Sequence, residues 1–185
     1  MKGNYTNYYL ASKLEKPILV NNLNKIYMKK LLFLLPILIF SIITACSDKK
    51  SSEEKQFDVD IDLIEKYLAD SSITAQSTSD GIYYVIKEEG TGKRPDVFSS
   101  ISIDYKGSLL NGTVFEKSNT SGNLYTFIKG WRLGIPLFRE GGKGTLFIPS
   151  KFGYGVRSKR KIPANSVLIF EITLKEVILQ NPNDI

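Results

Sequence analysis

The sequence predicts an α+β fold: an antiparallel β-sheet wrapped around one short helix, preceded by a signal segment and one amphipathic helix. Three observations predict it. Short β-branched and aromatic runs recur between glycine-rich turns from residue 81 to 177. Asn111-Gly112 lies between two apolar runs, a hairpin signal. Only one stretch within that region, Gly134 to Arg139, reads as a short helix.

Composition sets the N-terminus apart. The 185-residue chain has a formal charge of +6, but residues 1–45 alone hold six Lys and one Glu. Residues 46–185 are left with nineteen Lys and Arg against eighteen Asp and Glu, too even a balance to argue for nucleic acid. The hydrophobic content of 42% is that of a globular protein rather than a multi-span membrane protein. There is no histidine, which excludes an imidazole base, a Ser-His-Asp triad and a His-based metal site. No cofactor and no metal are expected.

Residues 1–27 are polar and patternless, and Met28 is a second candidate start. From Met28 a charged Met-Lys-Lys leads into an apolar run, Leu31 to Ile43, and then into Thr44-Ala45-Cys46. This order is that of a secretory signal. The run is short of the roughly 20 apolar residues a spanning helix needs. Cys46 is the only cysteine, and its setting resembles the bacterial lipobox, in which that cysteine is lipidated. The alternative is an uncleaved anchor with an incidental cysteine. Acylated Cys46 would place the chain on a lipid bilayer of the bacterial envelope, with its domain in the periplasm or at the cell surface. It would also leave no thiol for a disulfide.

Ser47 to Gln56 is charged and Ser-rich and reads as a flexible tether. Asp58 to Ala69 has Ile61, Ile64 and Leu68 at helical spacing, with acids in the first turn, and predicts an amphipathic helix. Its apolar face is expected on the main domain, with a dimer or a client as alternatives. Ser71 to Asp80 reads as a polar linker. The chain thus divides into an extension and signal peptide (1–45), a lipidated cysteine, tether and helix (46–80), and the sheet domain (81–185).

Within that domain, Gly81 to Lys87 is a first strand and Val97 to Lys106 a second, with Ile101, Ile103 and Tyr105 alternating on one face. Leu109 to Phe115 is the hairpin, expected as a type I′ turn at Asn111-Gly112. Gly141-Gly142-Lys143-Gly144 turns into a strand, Thr145 to Ile148, which Pro149 ends because it has no N–H for a ladder. Leu168 to Val177 is the last strand. Phe152 and Tyr154 stand between glycines on a loop just past a strand, placed either to line a pocket or to plug the core.

Taken together, Ile103-Asp104-Tyr105-Lys106-Gly107, Asn111-Gly112-Thr113-Val114-Phe115-Glu116, Ile128-Lys129-Gly130-Trp131, Gly153-Tyr154-Gly155 and Ile162-Pro163 through Phe170-Glu171-Ile172 form an ordered set. It resembles the FKBP-type peptidyl-prolyl cis-trans isomerases. The matching motifs run from Tyr105 to Val177, roughly the C-terminal half of the chain. The resemblance implies an FKBP-like sheet around a helix, catalysis of X–Pro isomerisation, proline-containing polypeptide clients and a macrolide inhibitor site. It implies that Trp131 carries the proline ring, that Tyr105 and Phe115 form the walls and Phe170 the back. It implies that Tyr154 bonds a ligand carbonyl, that the Ile128 N–H bonds substrate beside Phe127 on the rim, and that Ile162 lies on a flap. Residue types alone would equally place Trp131 and Phe170 in plain core packing.

Three places depart from the family pattern. Glu116 stands where an aspartate is usual. The Phe115–Trp131 segment is short, which leaves Leu124, Tyr125 or neither as the next pocket aromatic. The flap, residues 156–162, carries four cations: Arg157, Lys159, Arg160 and Lys161. It could meet acidic client residues, anionic lipid or only solvent. The function expected is therefore a prolyl isomerase of exported or envelope proteins, with catalytic residues Tyr105, Phe115, Glu116, Trp131, Tyr154 and Phe170. The alternative is an FKBP-like client-binding or accessory module with little turnover.

Overall fold

The computed structural model describes residues 50–179. The expected signal segment, Cys46 and the alternative start at Met28 lie outside the described residues. The elements are α1 (Ser52–Asp70), β1 (Gln76–Ser77), β2 (Tyr83–Glu88), β3 (Ser100–Leu109), β4 (Val114–Asn123), α2 (Lys129–Gly134), β5 (Lys143–Ile148) and β6 (Leu168–Ile178). All strand pairs are antiparallel, in the order β1-β2-β5-β6-β3-β4. The α+β class expected from the sequence is the one observed.

One face of the sheet wraps α2. There Ile103, Leu146, Ile148, Phe170, Ile172 and Leu174 pack with Trp131, Ile135 and Phe138. A Cβ on Gly130 would stand 2.4 Å from Ile148 Cγ2, so only glycine lets the helix lie this close to β5. Pro136 lacks the N–H for a further α-turn, and the chain continues from α2 as a 3₁₀ turn, Ile135–Leu137. The helix thus begins five residues before Gly134, the start that the residue pattern predicts, and it contains Trp131.

The opposite face of β5 and β6 carries α1. Ile64 and Leu68 pack on Phe147, Val167 and Ile169, so the apolar face of α1 does meet the main domain. The helix starts earlier than Asp58 and takes in half of the expected tether. Ser51 is its N-cap: the Ser51 hydroxyl accepts from the Glu54 N–H and the Glu54 carboxylate accepts from the Ser51 N–H. Apolar periodicity could not see this, because a capping box is polar. The buried stripe runs Asp60, Ile64, Leu68, with a carboxylate among the apolar residues. Asp60 is fully buried and accepts from the Ser150 N–H at 2.7 Å and from Gln56 Nε2 at 2.8 Å. The Ser71–Asp80 segment, expected as a linker, contributes β1, paired with β2.

Two strand readings need correction. Of Asn111 and Gly112 only Gly112 has positive φ (84°), so the turn is not type I′. The Gly112 N–H bonds the Leu109 carbonyl, the Leu109 N–H bonds the Thr113 carbonyl, and the Asn111 side chain accepts from the Thr113 N–H. This is a longer loop closed by a glycine after the turn. Secondly, β4 runs for ten residues through Glu116-Lys117-Ser118-Asn119-Thr120-Ser121, a sequence with little strand propensity. It is an edge strand and largely exposed, where polar residues are the norm.

The Asp60 contact yields a stability prediction. Asp60→Ala leaves the buried Ser150 N–H without a partner and should cost about 2–3 kcal/mol. Asp60→Asn keeps an acceptor and should lose about half of that or less. Thermal unfolding of both variants checks it; equal losses would mean that the carboxylate's volume, not its bond to Ser150, holds α1 in place.

Candidate active site

Trp131 sits at the centre of the α2 face and is only 4% exposed. Three rings pack around it. Tyr105 from β3 meets it edge-on at 5.1 Å, Phe170 from β6 edge-on at 5.3 Å, and Phe127 tilted at 5.2 Å. Strand alternation delivers two of these, since Tyr105 pairs with Ile172 and the inward positions on β6 recur every second residue. A cleft of about 110 Å³ opens above this floor. It holds the volume of roughly three to four waters, at about 30 Å³ each, which suits one compact side chain. Tyr154 from the loop after β5, Ile128 at the start of α2, and Glu116 and Thr120 from β4 complete its lining.

The polar groups are few. Burial and, after it, the Glu116 carboxylate push the pKa of the Tyr105 hydroxyl up to about 12, with a lesser contribution from Tyr154. The Tyr154 hydroxyl makes no hydrogen bond among the described residues, and Lys159 Nζ lies 4.7 Å from the centre of its ring. The Ile128 carbonyl accepts from the Trp131 and Arg132 N–H groups at 3.0 and 3.2 Å, while its own N–H has no partner among the described residues. Trp131 Nε1 is buried without a partner. The cleft is an apolar box with a hydroxyl and a backbone N–H at its rim. It is fitted to hold a ring and bond a carbonyl, and it has no arrangement for nucleophilic or metal-assisted chemistry among the described residues.

Seven of the nine residues named from sequence line this cleft: Tyr105, Glu116, Phe127, Ile128, Trp131, Tyr154 and Phe170. Phe115 packs edge-on behind Phe170 at 5.7 Å and, with Ile162, lines an adjoining cleft instead. Phe152 is buried in the core against Phe57 of α1, so of the two loop aromatics only Tyr154 reaches the cleft. Leu124 is fully buried and Tyr125 stacks on Phe98 outside; neither lines the cleft. Thr120 joins the lining without having been expected there. It pairs with Ile103 because the register shifts by one residue at Phe115, between the Gly107 and Ser108 pairings; a regular ladder from the hairpin would have put Asn119 there, so the sequence carried no signal for it.

Comparison with known proteins bears on this geometry. Residues 92–175 match the family model described as FKBP-type peptidyl-prolyl cis-trans isomerase. A curated relative from Neisseria meningitidis serogroup B, a probable FKBP-type isomerase FkpA, is 35% identical over 108 residues, covering 55% of this chain and 40% of the relative. The crystal structure of FkpA from Escherichia coli aligns over 82% of this chain and 71% of its own, with TM-score 0.59 and 26% identity. That of AtFKBP13 aligns over 56% of this chain and 98% of its own, with TM-score 0.52 and 30% identity. The chain belongs to the FKBP family. The match spans about two fifths of the length of the curated FkpA relatives. In this FKBP domain the Trp131 floor and its three packed rings form the interior of the sheet's concave face.

The Tyr105–Glu116 pair sets a pH expectation. A phenol whose folded pKa is raised contributes stability in full below its unfolded value of about 10 and loses it as pH rises towards 12. Ultraviolet titration should show Tyr105 ionising late, alongside Tyr83, which burial and Glu65 also raise to about 12. Glu116→Gln should bring the Tyr105 transition down while burial keeps it above the usual value. An unmoved transition would mean that Glu116 does not govern this hydroxyl.

Proposed function

We propose that this chain is a peptidyl-prolyl cis-trans isomerase acting on X–Pro bonds of exported or envelope polypeptides, and that acylated Cys46 tethers it to a bacterial membrane. The observation that carries the enzymatic reading is the aromatic cleft floored by buried Trp131. The match to isomerase relatives supports it. The lipid anchor rests on Cys46 and the apolar run before it.

Isomerisation makes and breaks no bond. Amide resonance sets a barrier of about 18–20 kcal/mol, and the uncatalysed turnover takes tens to hundreds of seconds. A planar amide carries more charge separation than a twisted one, so a dry site favours the twisted state. Proline on Trp131, walled by Tyr105, Phe127 and Phe170, has its amide out of water. The Tyr154 hydroxyl and the Ile128 N–H are the donors available to carbonyls on either side of the ring. A donor that bonds the twisted carbonyl better than the planar one lowers the barrier further. Phe115 supports Phe170 from behind, and Ile162 bounds the flap side. The same apolar cleft, with two donors, suits a macrolide inhibitor.

Exchange NMR or a protease-coupled assay with X–Pro peptides tests the activity. Trp131→Ala should fold and lose most of kcat/KM, at least about tenfold, which is about 1.4 kcal/mol of transition-state stabilisation. An undiminished rate in the folded variant would remove the cleft from the mechanism. Mass spectrometry of the mature form should find diacylglycerol on Cys46; an unmodified cysteine would end the tether reading.

A further inference from the structure

We propose that the cleft beside the proline site is a subsite for an acidic side chain flanking the client's proline. The inference rests on the isomerase reading and deepens it. This second cleft, of about 220 Å³, is lined by Phe115, Glu116, Tyr154, Lys159, Arg160 and Lys161, with Ile162 at its base. Glu116 and Tyr154 line both clefts, so the two adjoin. A chain with its proline on Trp131 therefore places a neighbouring residue against the flap.

The charge of this cleft is one-sided. Three cations face one carboxylate. None of Lys159, Arg160 and Lys161 forms an ion pair among the described residues, although other surface lysines do. Lys159 lies over the Tyr154 ring, which holds its ammonium at the border of the two clefts.

The backbone adds a second, independent observation. Lys159 and Ile162 exchange both N–H···O bonds at 2.8 Å, which makes Arg160-Lys161 the centre of a two-residue hairpin. Arg160 takes φ 49°, a conformation that glycine adopts without strain. An arginine is held there at a cost, and the hairpin projects its guanidinium and the Lys161 ammonium from one rigid tip. Strain retained at a binding loop is a mark of function. Ile162 anchors the hairpin: it is 5% exposed and packed in the core, so the cations ride on a fixed base.

The test compares peptides with Glu, Gln or Lys immediately before or after the proline, using the purified full chain. Glu in one of these positions should raise kcat/KM about three- to tenfold over Gln, the scale of one or two partly exposed ion pairs, and Lys should lower it. The preference should fade as salt is raised. Arg160→Gln with Lys161→Gln should abolish the preference while Gln-Pro peptides turn over as before. Arg160→Glu with Lys161→Glu should transfer it to Lys, a reversal that mere damage to the flap does not produce. Equal turnover of Glu, Gln and Lys peptides overturns the subsite while leaving the isomerase reading intact. No acceleration of any peptide overturns both. A flap that shows no peptide preference but binds phosphatidylglycerol vesicles through Arg160 and Lys161 overturns it in favour of a lipid contact.

Discussion

Where α2 meets β5, the helix contributes no side chain of its own. Gly130 rests against Ile148 and Gly134 against Leu146, and at either position a Cβ would fall well inside van der Waals contact. This approach fixes the depth of Trp131 below the rim of the sheet. The indole then lies low enough for Tyr105, Phe127 and Phe170 to reach it at once. A helix held further off would leave a gap under the rings or fill the cleft with the tryptophan itself. Because β5 is buried on both faces, its alternate residue Phe147 is turned outwards and gives α1 a surface to dock on. The domain is three layers deep where α1 covers β5 and β6.

Strand alternation was legible wherever one face was apolar. Ile101, Ile103 and Tyr105 read correctly as the inward set of β3, and Leu168 to Val177 as the last strand, whose inward set is Leu168, Phe170, Ile172 and Leu174. The pattern fails where polar atoms do structural work. Asp60 interrupts the apolar stripe of α1 because its partner, the Ser150 N–H, is 90 residues away and invisible to a local window. The first turns of α1 looked like a tether because their stability comes from the Ser51–Glu54 cap. Strand β4 was hidden because its polar sequence is that of an exposed edge, and pairing with β3 overrides its weak propensity. A bulge near Lys175 shifts the register of β6 and returns Val177 to the core out of phase with the residues before it.

The site was more legible than the fold, because its aromatics stand in motifs with fixed spacing. What the motifs could not convey was partnership. Glu116 acts on the Tyr105 hydroxyl, and the Tyr154 hydroxyl has no internal bond among the described residues. Phe115 serves as backing for Phe170 and as a wall of the neighbouring cleft. The shortened segment before Trp131 is accommodated by sending Leu124 into the core and Tyr125 onto the outer surface, so Thr120 occupies the rim. Each of these depends on where β4 lies against β3, which was the strand least visible in the sequence.

The strand order has a consequence for how the chain acquires its shape. β6 is the member that joins the two halves of the sheet, pairing with β3 on one side and β5 on the other. Without residues 168–178, β3 and β4 remain a lone hairpin, and β2 and β5 a pair closed by a long loop. Closing such loops is entropically costly before any contact repays it, and isolated two-strand pairs are marginal in water. The concave core therefore assembles only after the last of these strands is available. A chain threaded through a membrane from its N-terminus would reach the far side unfolded, with α1 and the β3–β4 hairpin waiting for β6. Under the envelope location proposed above, such a chain stays slack enough to be threaded until its final strand has crossed.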